Sequence, residues 1–354
     1  MPLFAEATDA RPEELSAQAY DEEQLGRWEM AARLYSQSFR TAVLAGDVEN
    51  AADALRGQAR VLIQEERFEE AEELVELSRE IAERSGLLRS AARAINVLGI
   101  IRYRRRDWAG AREYYRRALE LALDVGDDDL AGLAAQNTGV IAYVQGDLRE
   151  ARALYLESMG SFVRSGNTGN ALLAYNNLGI ASADLREWLD AEIYYTRGIE
   201  LAERQSQSAV LAKLYGNRAE PLIHIGEMEQ ARETLAKAER AAGAVGDRLA
   251  LADVERWRSR IAALHGDLDA ADRHVAQALE LAGDPSLERA GALRALALLR
   301  HAQGRLHEAR DAYTQAEALY ASLGAEAHAR AVAGELEMLG RNSLPEPEHR
   351  SGVS

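Results

Sequence analysis

The sequence contains no cysteine among its 354 residues, which excludes disulfide frameworks, cysteine–zinc sites and thiol catalysis. Proline (6) and phenylalanine (4) are scarce, which argues against a β-sandwich or a proline-rich linker protein. Lysine is nearly absent: Lys213 and Lys237 are the only two, and arginine supplies the rest of the 42 basic residues. No apolar run approaches the roughly eighteen residues a membrane span needs. Met1 to Ala10 has neither the basic nor the apolar region of a secretory signal, so a soluble cytoplasmic protein is expected. Acidic residues number 58, giving a net charge of -16, and so acidic a chain is a poor match for nucleic acid or an anionic membrane.

What the chain has in abundance is repetition. A turn ending in alanine recurs at Ala31, Ala71, Ala111, Ala151, Ala191, Ala231, Ala271 and Ala309, at intervals of 40 until a last one of 38. An aromatic residue opens it at Trp28, Phe68, Trp108 and Trp188. A second mark runs in phase at Gly46, Gly86, Gly126, Gly166 and Gly246, with Ser206 in the vacant place and Gly283 and Gly324 slightly out of step. Asp or Asn often follows, as in Gly46-Asp47 and Gly126-Asp127. Glycine there suits a left-handed helix C-cap, and the Asp can cap the next helix. Between the marks, segments such as Tyr114 to Ala122 and Ala94 to Ile100 space their apolar residues at three and four. Each unit therefore reads as helix, tight turn, helix, loop, and stacked neighbours must cover the apolar face that one pair exposes.

Leu98-Gly99, Tyr103, Asp107-Trp108, Ala111, Tyr115 and Ala118-Leu119 resemble the tetratricopeptide signature; Leu178-Gly179 with Ala191 and Tyr195, and Gly139 with Gly146, Ala151 and Tyr155, match it again. The usual tetratricopeptide unit is shorter, so a period of 40 implies longer helices, as in kinesin light chains, the Leu-Gly-Asn-repeat scaffolds and Rap-type peptide-sensing regulators. The resemblance implies an all-α, right-handed α-solenoid of about eight helix-turn-helix repeats plus a C-terminal capping helix. The expected layout is a frayed segment 1–11, a repeat array 12–324, a capping helix 325–340 and a disordered tail 341–354.

Chemistry is hard to find. The 7 histidines show no metal-ligand spacing, and no phosphate loop, nucleophile elbow or dinucleotide fingerprint occurs. The expectation is a non-enzymatic protein with no cofactor and no metal.

By family analogy, the first helix of each unit lines a concave groove. Its exposed positions carry Arg56, Arg60, Arg93, Arg104, Lys213, Arg256, Arg260 and Arg294 against Asp53, Asp184, Glu220 and Asp253, a basic surplus in an acidic chain. Asn96, Gln136 and Asn176 form one row of amides, and Asn137, Asn177 and Asn217 a second row one residue on. A carboxamide both donates and accepts, which suits an extended peptide backbone; the first row is weighted towards binding and the second towards structure. Ile100, Val140, Ile180, Tyr103 and Tyr143 would form an apolar strip beside them. Pro221 falls inside a first helix, where a kink is expected.

The expected function is a scaffold or adaptor binding an acidic or amphipathic peptide segment of a partner protein. One alternative is a bacterial peptide-sensing regulator that changes shape on binding and acts on a partner protein, since a first repeat starting near residue 12 leaves no room for an output module. Another is an assembly factor that holds a client.

Overall fold

The computed structural model describes residues 10–205 and 208–342. Residues 1–9 of the expected frayed segment, Ser206 of the glycine row and residues 343–354 of the expected tail lie outside the described residues. Among the described residues there are seventeen α-helices and no strand. They are α1 Pro12–Gln24, α2 Trp28–Ala45, α3 Val48–Gln64, α4 Phe68–Arg84, α5 Leu88–Arg104, α6 Trp108–Asp124, α7 Asp128–Gln145, α8 Leu148–Ser165 and α9 Thr168–Asp184. There follow α10 Trp188–Arg204, α11 Ser208–His224, α12 Met228–Val245, α13 Arg248–Leu264, α14 Leu268–Ala282, α15 Leu287–Ala302, α16 Leu306–Ser322 and α17 Glu326–Asn342. These are eight helix pairs and one further helix. A typical helix has 17 residues, so two of them with their short connections make up the period.

The recurring alanine starts the buried stripe of each second helix. Ala31, Ala71, Ala111, Ala151, Ala191, Ala231, Ala271 and Ala309 are all fully buried. A larger buried residue follows four positions later, for example Tyr35, Val75, Tyr115, Tyr155, Tyr195 and Leu235. Seven positions after the alanine comes another small residue, such as Ser38, Ser78, Ala118 or Ala238. This is the apolar stripe of a helix that buries one side only. Ser38 and Ser78 donate to the Pro12 and Ala52 carbonyls at 2.8 and 2.7 Å, whereas the buried Ser158 hydroxyl has no partner among the described residues.

Short connections are fixed by caps. Asp47, Asp107, Asp247 and Asp267 each accept a hydrogen bond from the backbone N–H three residues on, at 3.1, 2.9, 3.0 and 2.9 Å. Such a cap is worth about 1 kcal/mol. The turn inside each pair needs a left-handed residue, supplied by glycine at Gly146 and Gly226, both with φ +87°. Glu66, Arg106 and Arg186 take the same conformation without being glycine. The last interval shortens to 38 because α14 ends early at Ala282, before Gly283 and the cis peptide Asp284–Pro285. α11 continues as helix through Pro221.

The chain divides into two compact units, the first of residues up to Ile141 with Glu157–Asn167, the second of Ala142–Leu156 with the residues from Thr168 onward. In the first unit each helix packs on the next, and α1, α3 and α5 also touch one another. In the second unit α9, α11, α13 and α15 do the same. First helices thus converge on one side of each unit, so that their side chains share a face. Leu172, Leu214, Leu222, Leu235 and Trp257 lie in the largest hydrophobic cluster of the second unit.

Candidate functional site

The shared first-helix face carries most of the residues that the sequence singles out, and ion pairs organise them. In the first unit, Arg56 is buried with its guanidinium 2.8 Å from Asp53. Burial pulls Arg56 below its ordinary range, and Asp53 offsets this in part. Arg60 bonds Glu23 at 2.9 Å and the Tyr35 hydroxyl at 2.7 Å. Its burial acts to lower it, but the Glu23 carboxylate outweighs that and leaves it raised. Arg93 pairs with Asp127 at 3.1 Å.

The expected basic surplus is therefore mostly neutralised. Glu23, Asp127 and Glu335 stand outside the groove positions counted from the sequence, and each meets one of the arginines counted there. The physical reason is that a desolvated guanidinium is costly unless paired. Arg104 and Lys213 remain exposed.

The two amide rows meet across neighbouring repeats. Asn137 donates from Nδ2 to Oδ1 of Asn96 at 3.4 Å in the first unit. Asn217 does the same to Asn176 at 2.9 Å in the second. Each of these two bonds joins a residue of the row expected to bind to one of the row expected to be structural. Gln136 places its buried Oε1 with no partner among the described residues. Asn177, Val140 and Ile180 are half-buried, and Ile180 packs against the large cluster of the second unit. Tyr103 lies edge-on to Trp108 with ring centres 5.1 Å apart. The Tyr143 hydroxyl donates to Asp184 at 2.6 Å, and burial, followed by that carboxylate, holds it well above its ordinary range.

The second unit also contains a partly open cavity of about 230 Å³. Its walls include Glu220 and His224 of α11, Arg256 and Arg260 of α13, Arg294 of α15, Tyr320 of α16 and Glu335 of α17. Arg256 bonds Asp253 at 2.9 Å and lies over the Trp257 ring at 4.2 Å. Arg294 bonds Glu335 at 3.0 Å. Burial raises Glu220, with Asp184 and Asp253 adding to it and Arg256 and Arg294 opposing. His224 stacks on Trp188 with ring centres 3.9 Å apart, and burial, then Arg260, lower it. The sequence reading omitted Tyr320 and Glu335 because neither belongs to the first helices of the eight pairs. The available signal was that Glu335 follows Arg294 by 41 residues, one repeat on. No group of His, Asp and Glu suited to a metal ion occurs among the described residues. Among the described residues no helix is long and apolar enough to cross a membrane.

Residues 90–162 match the family model of the tetratricopeptide repeat. No curated protein sequence is matched. Among solved structures, the apo quorum sensor NprR from B. thuringiensis is 13% identical, with 92% of this chain and 97% of that chain covered and a TM-score of 0.56. NprR in complex with its cognate peptide NprX is 16% identical over 85% of this chain and 87% of that chain, with a TM-score of 0.60. A signal-transduction ATPase with a tetratricopeptide repeat sensor, from Pyrococcus horikoshii, is 19% identical with a TM-score of 0.63; the match covers 77% of this chain and 42% of that one. At these identities the likeness concerns the fold. The tetratricopeptide repeat is matched over residues 90–162, and the same kind of helix pair recurs on either side of that segment.

Proposed function

We propose that the chain is a non-enzymatic scaffold or adaptor that binds a peptide segment of a partner protein on its first-helix face. In this reading residues 12–324 form the binding array and 325–340 its cap. The observation that carries it is the geometry of the amide pairs. The bond from Asn217 to Asn176 uses one group of each carboxamide. Asn176 keeps its NH₂ as a donor and Asn217 its carbonyl as an acceptor. In the first unit Asn137 keeps its carbonyl in the same way, while its partner Asn96 is buried. A donor and an acceptor presented together suit the N–H and C=O of an extended peptide, and half-buried Ile180 offers an apolar contact nearby. The overall charge of -16 favours a protein or peptide partner in the cytoplasm over nucleic acid or an anionic membrane.

The test is affinity purification from the native organism with Asn176→Ala and Ile180→Asp variants beside the parent chain. Loss of a specific co-purifying protein, with helical circular dichroism unchanged, supports the reading. Equal recovery by all three chains overturns it.

A second reading, a bacterial peptide-sensing regulator acting on a partner protein, is favoured by the fold shared with NprR, which has been solved with its peptide NprX. Small-angle scattering on adding a bound peptide separates the two: a change in radius of gyration supports the sensor, and an unchanged radius the scaffold.

A further inference from the structure

The cavity of the second unit is lined by one arginine, Arg260, that no carboxylate neutralises among the described residues. Arg256 is held by Asp253 and Arg294 by Glu335. Arg260, half-buried and one turn beyond Arg256 on α13, has no carboxylate in ion-pair reach among the described residues. A partly desolvated guanidinium without a counter-ion is unfavourable, and its planar fork fits a carboxylate with two parallel bonds. A cavity volume of about 230 Å³ is of the size of one side chain and too small for a helix.

We propose that this cavity takes one acidic side chain, Asp or Glu, of a bound peptide, with Arg260 as the group that reads it. The inference rests on the peptide-binding reading above and names a specificity pocket within it. The pocket adjoins the amide pair: Glu220 lies three residues after Asn217 on α11, which puts both on one side of that helix.

Glu220 gives the pocket a second property. It makes no hydrogen bond or ion pair among the described residues. The charged groups around it are Asp184 of α9, Asp253 and Arg256 of α13 and Arg294 of α15, while His224, Tyr320 and Glu335 complete the titratable lining of the cavity. Burial favours its protonated form. A protonated Glu220 donates a hydrogen bond to an entering carboxylate, whereas an ionised one repels it. Entry of the acid is therefore coupled to proton retention by Glu220, and binding tightens as pH falls towards the point where Glu220 is protonated.

The test starts from a random peptide library displayed on phage and selected against the immobilised full chain. Selected peptides, made synthetically with capped ends, are then measured by calorimetry across pH. The expected result is a shared Asp or Glu whose replacement by Asn or Gln weakens binding at least about tenfold, as for loss of a charge-assisted hydrogen bond. Arg260→Gln removes the preference for the acid, and Glu220→Gln flattens the pH dependence. The peptide-side replacement uses the unaltered protein, so it decides the matter even if a variant folds poorly. Peptides that bind without a shared acid overturn the pocket and leave the peptide-binding reading standing. Recovery of no peptide overturns both.

Discussion

The Arg330 guanidinium donates to the backbone carbonyl of Gln145 at 3.2 Å, joining α17 to the end of α7 across 185 residues of sequence. Both residues belong to the second unit, so its last helix returns to its first segment. Nearby, His328 lies 6.2 Å from the Tyr143 ring and 5.2 Å from the Tyr320 ring, centre to centre.

That contact is exposed, so its own contribution is modest, about 1 kcal/mol or less. Arg330→Ala is expected to raise amide hydrogen exchange in α17 while leaving α11 to α14 unchanged. Unchanged exchange in α17 would show that its other contacts, among them Glu335 with Arg294, hold the helix without this bond.

Arg106 sits at φ +62°, in the turn place where Gly146 and Gly226 have glycine. A side chain in the left-handed region costs about 1 kcal/mol, so Arg106→Gly should stabilise the protein by up to that amount. The reverse exchange, Gly226→Ala, should destabilise it similarly. Thermal unfolding of both variants checks the pair of signs.

Gly179 is small because a helix neighbour occupies the space a side chain would need. A Cβ there would lie 2.3 Å from the Tyr195 ring, and Tyr195 is itself buried. Gly179→Ala should cost about 1–3 kcal/mol through overpacking. Adding Tyr195→Leu should recover part of that loss in urea unfolding, since the double variant makes room for the new methyl group. An undiminished cost in the double variant would place the strain elsewhere.

Burial lowers His328 from its ordinary 6.5; Arg294 and Arg256 act in the same direction and Asp184 opposes them. The unfolded chain therefore takes up a proton at pH values where the folded one holds His328 neutral. Stability from this group is complete above about 6.5 and is lost as pH falls below that value. Urea unfolding at pH about 7.5 and about 5.5 should show His328→Gln losing less stability over that window than the parent. An equal loss in both would mean that other groups carry the acid sensitivity.

The fold was highly legible in the sequence because its determinants are local. The alanine every 40 residues opens the buried stripe of each second helix, and the residues four and seven places later continue it. Asp47 and Asp247 reveal the helix starts because a cap bonds only three residues ahead. The groove was less legible. Asn176 and Asn217 could be placed in rows, but their mutual bond depends on adjacent repeats lying in register.

The sequence by itself determined the repeat, its helical phase and the residues that share the first-helix face, since periodicity and capping act within a few residues. Only the tertiary structure decided the electrostatics of that face. Arg60 meets Glu23 from 37 residues away, Arg93 meets Asp127 from 34, and Arg294 meets Glu335 from 41, all distances over which only stacking of one repeat on the next brings charges together. Among the described residues Arg260 has no such partner and lines the cavity instead.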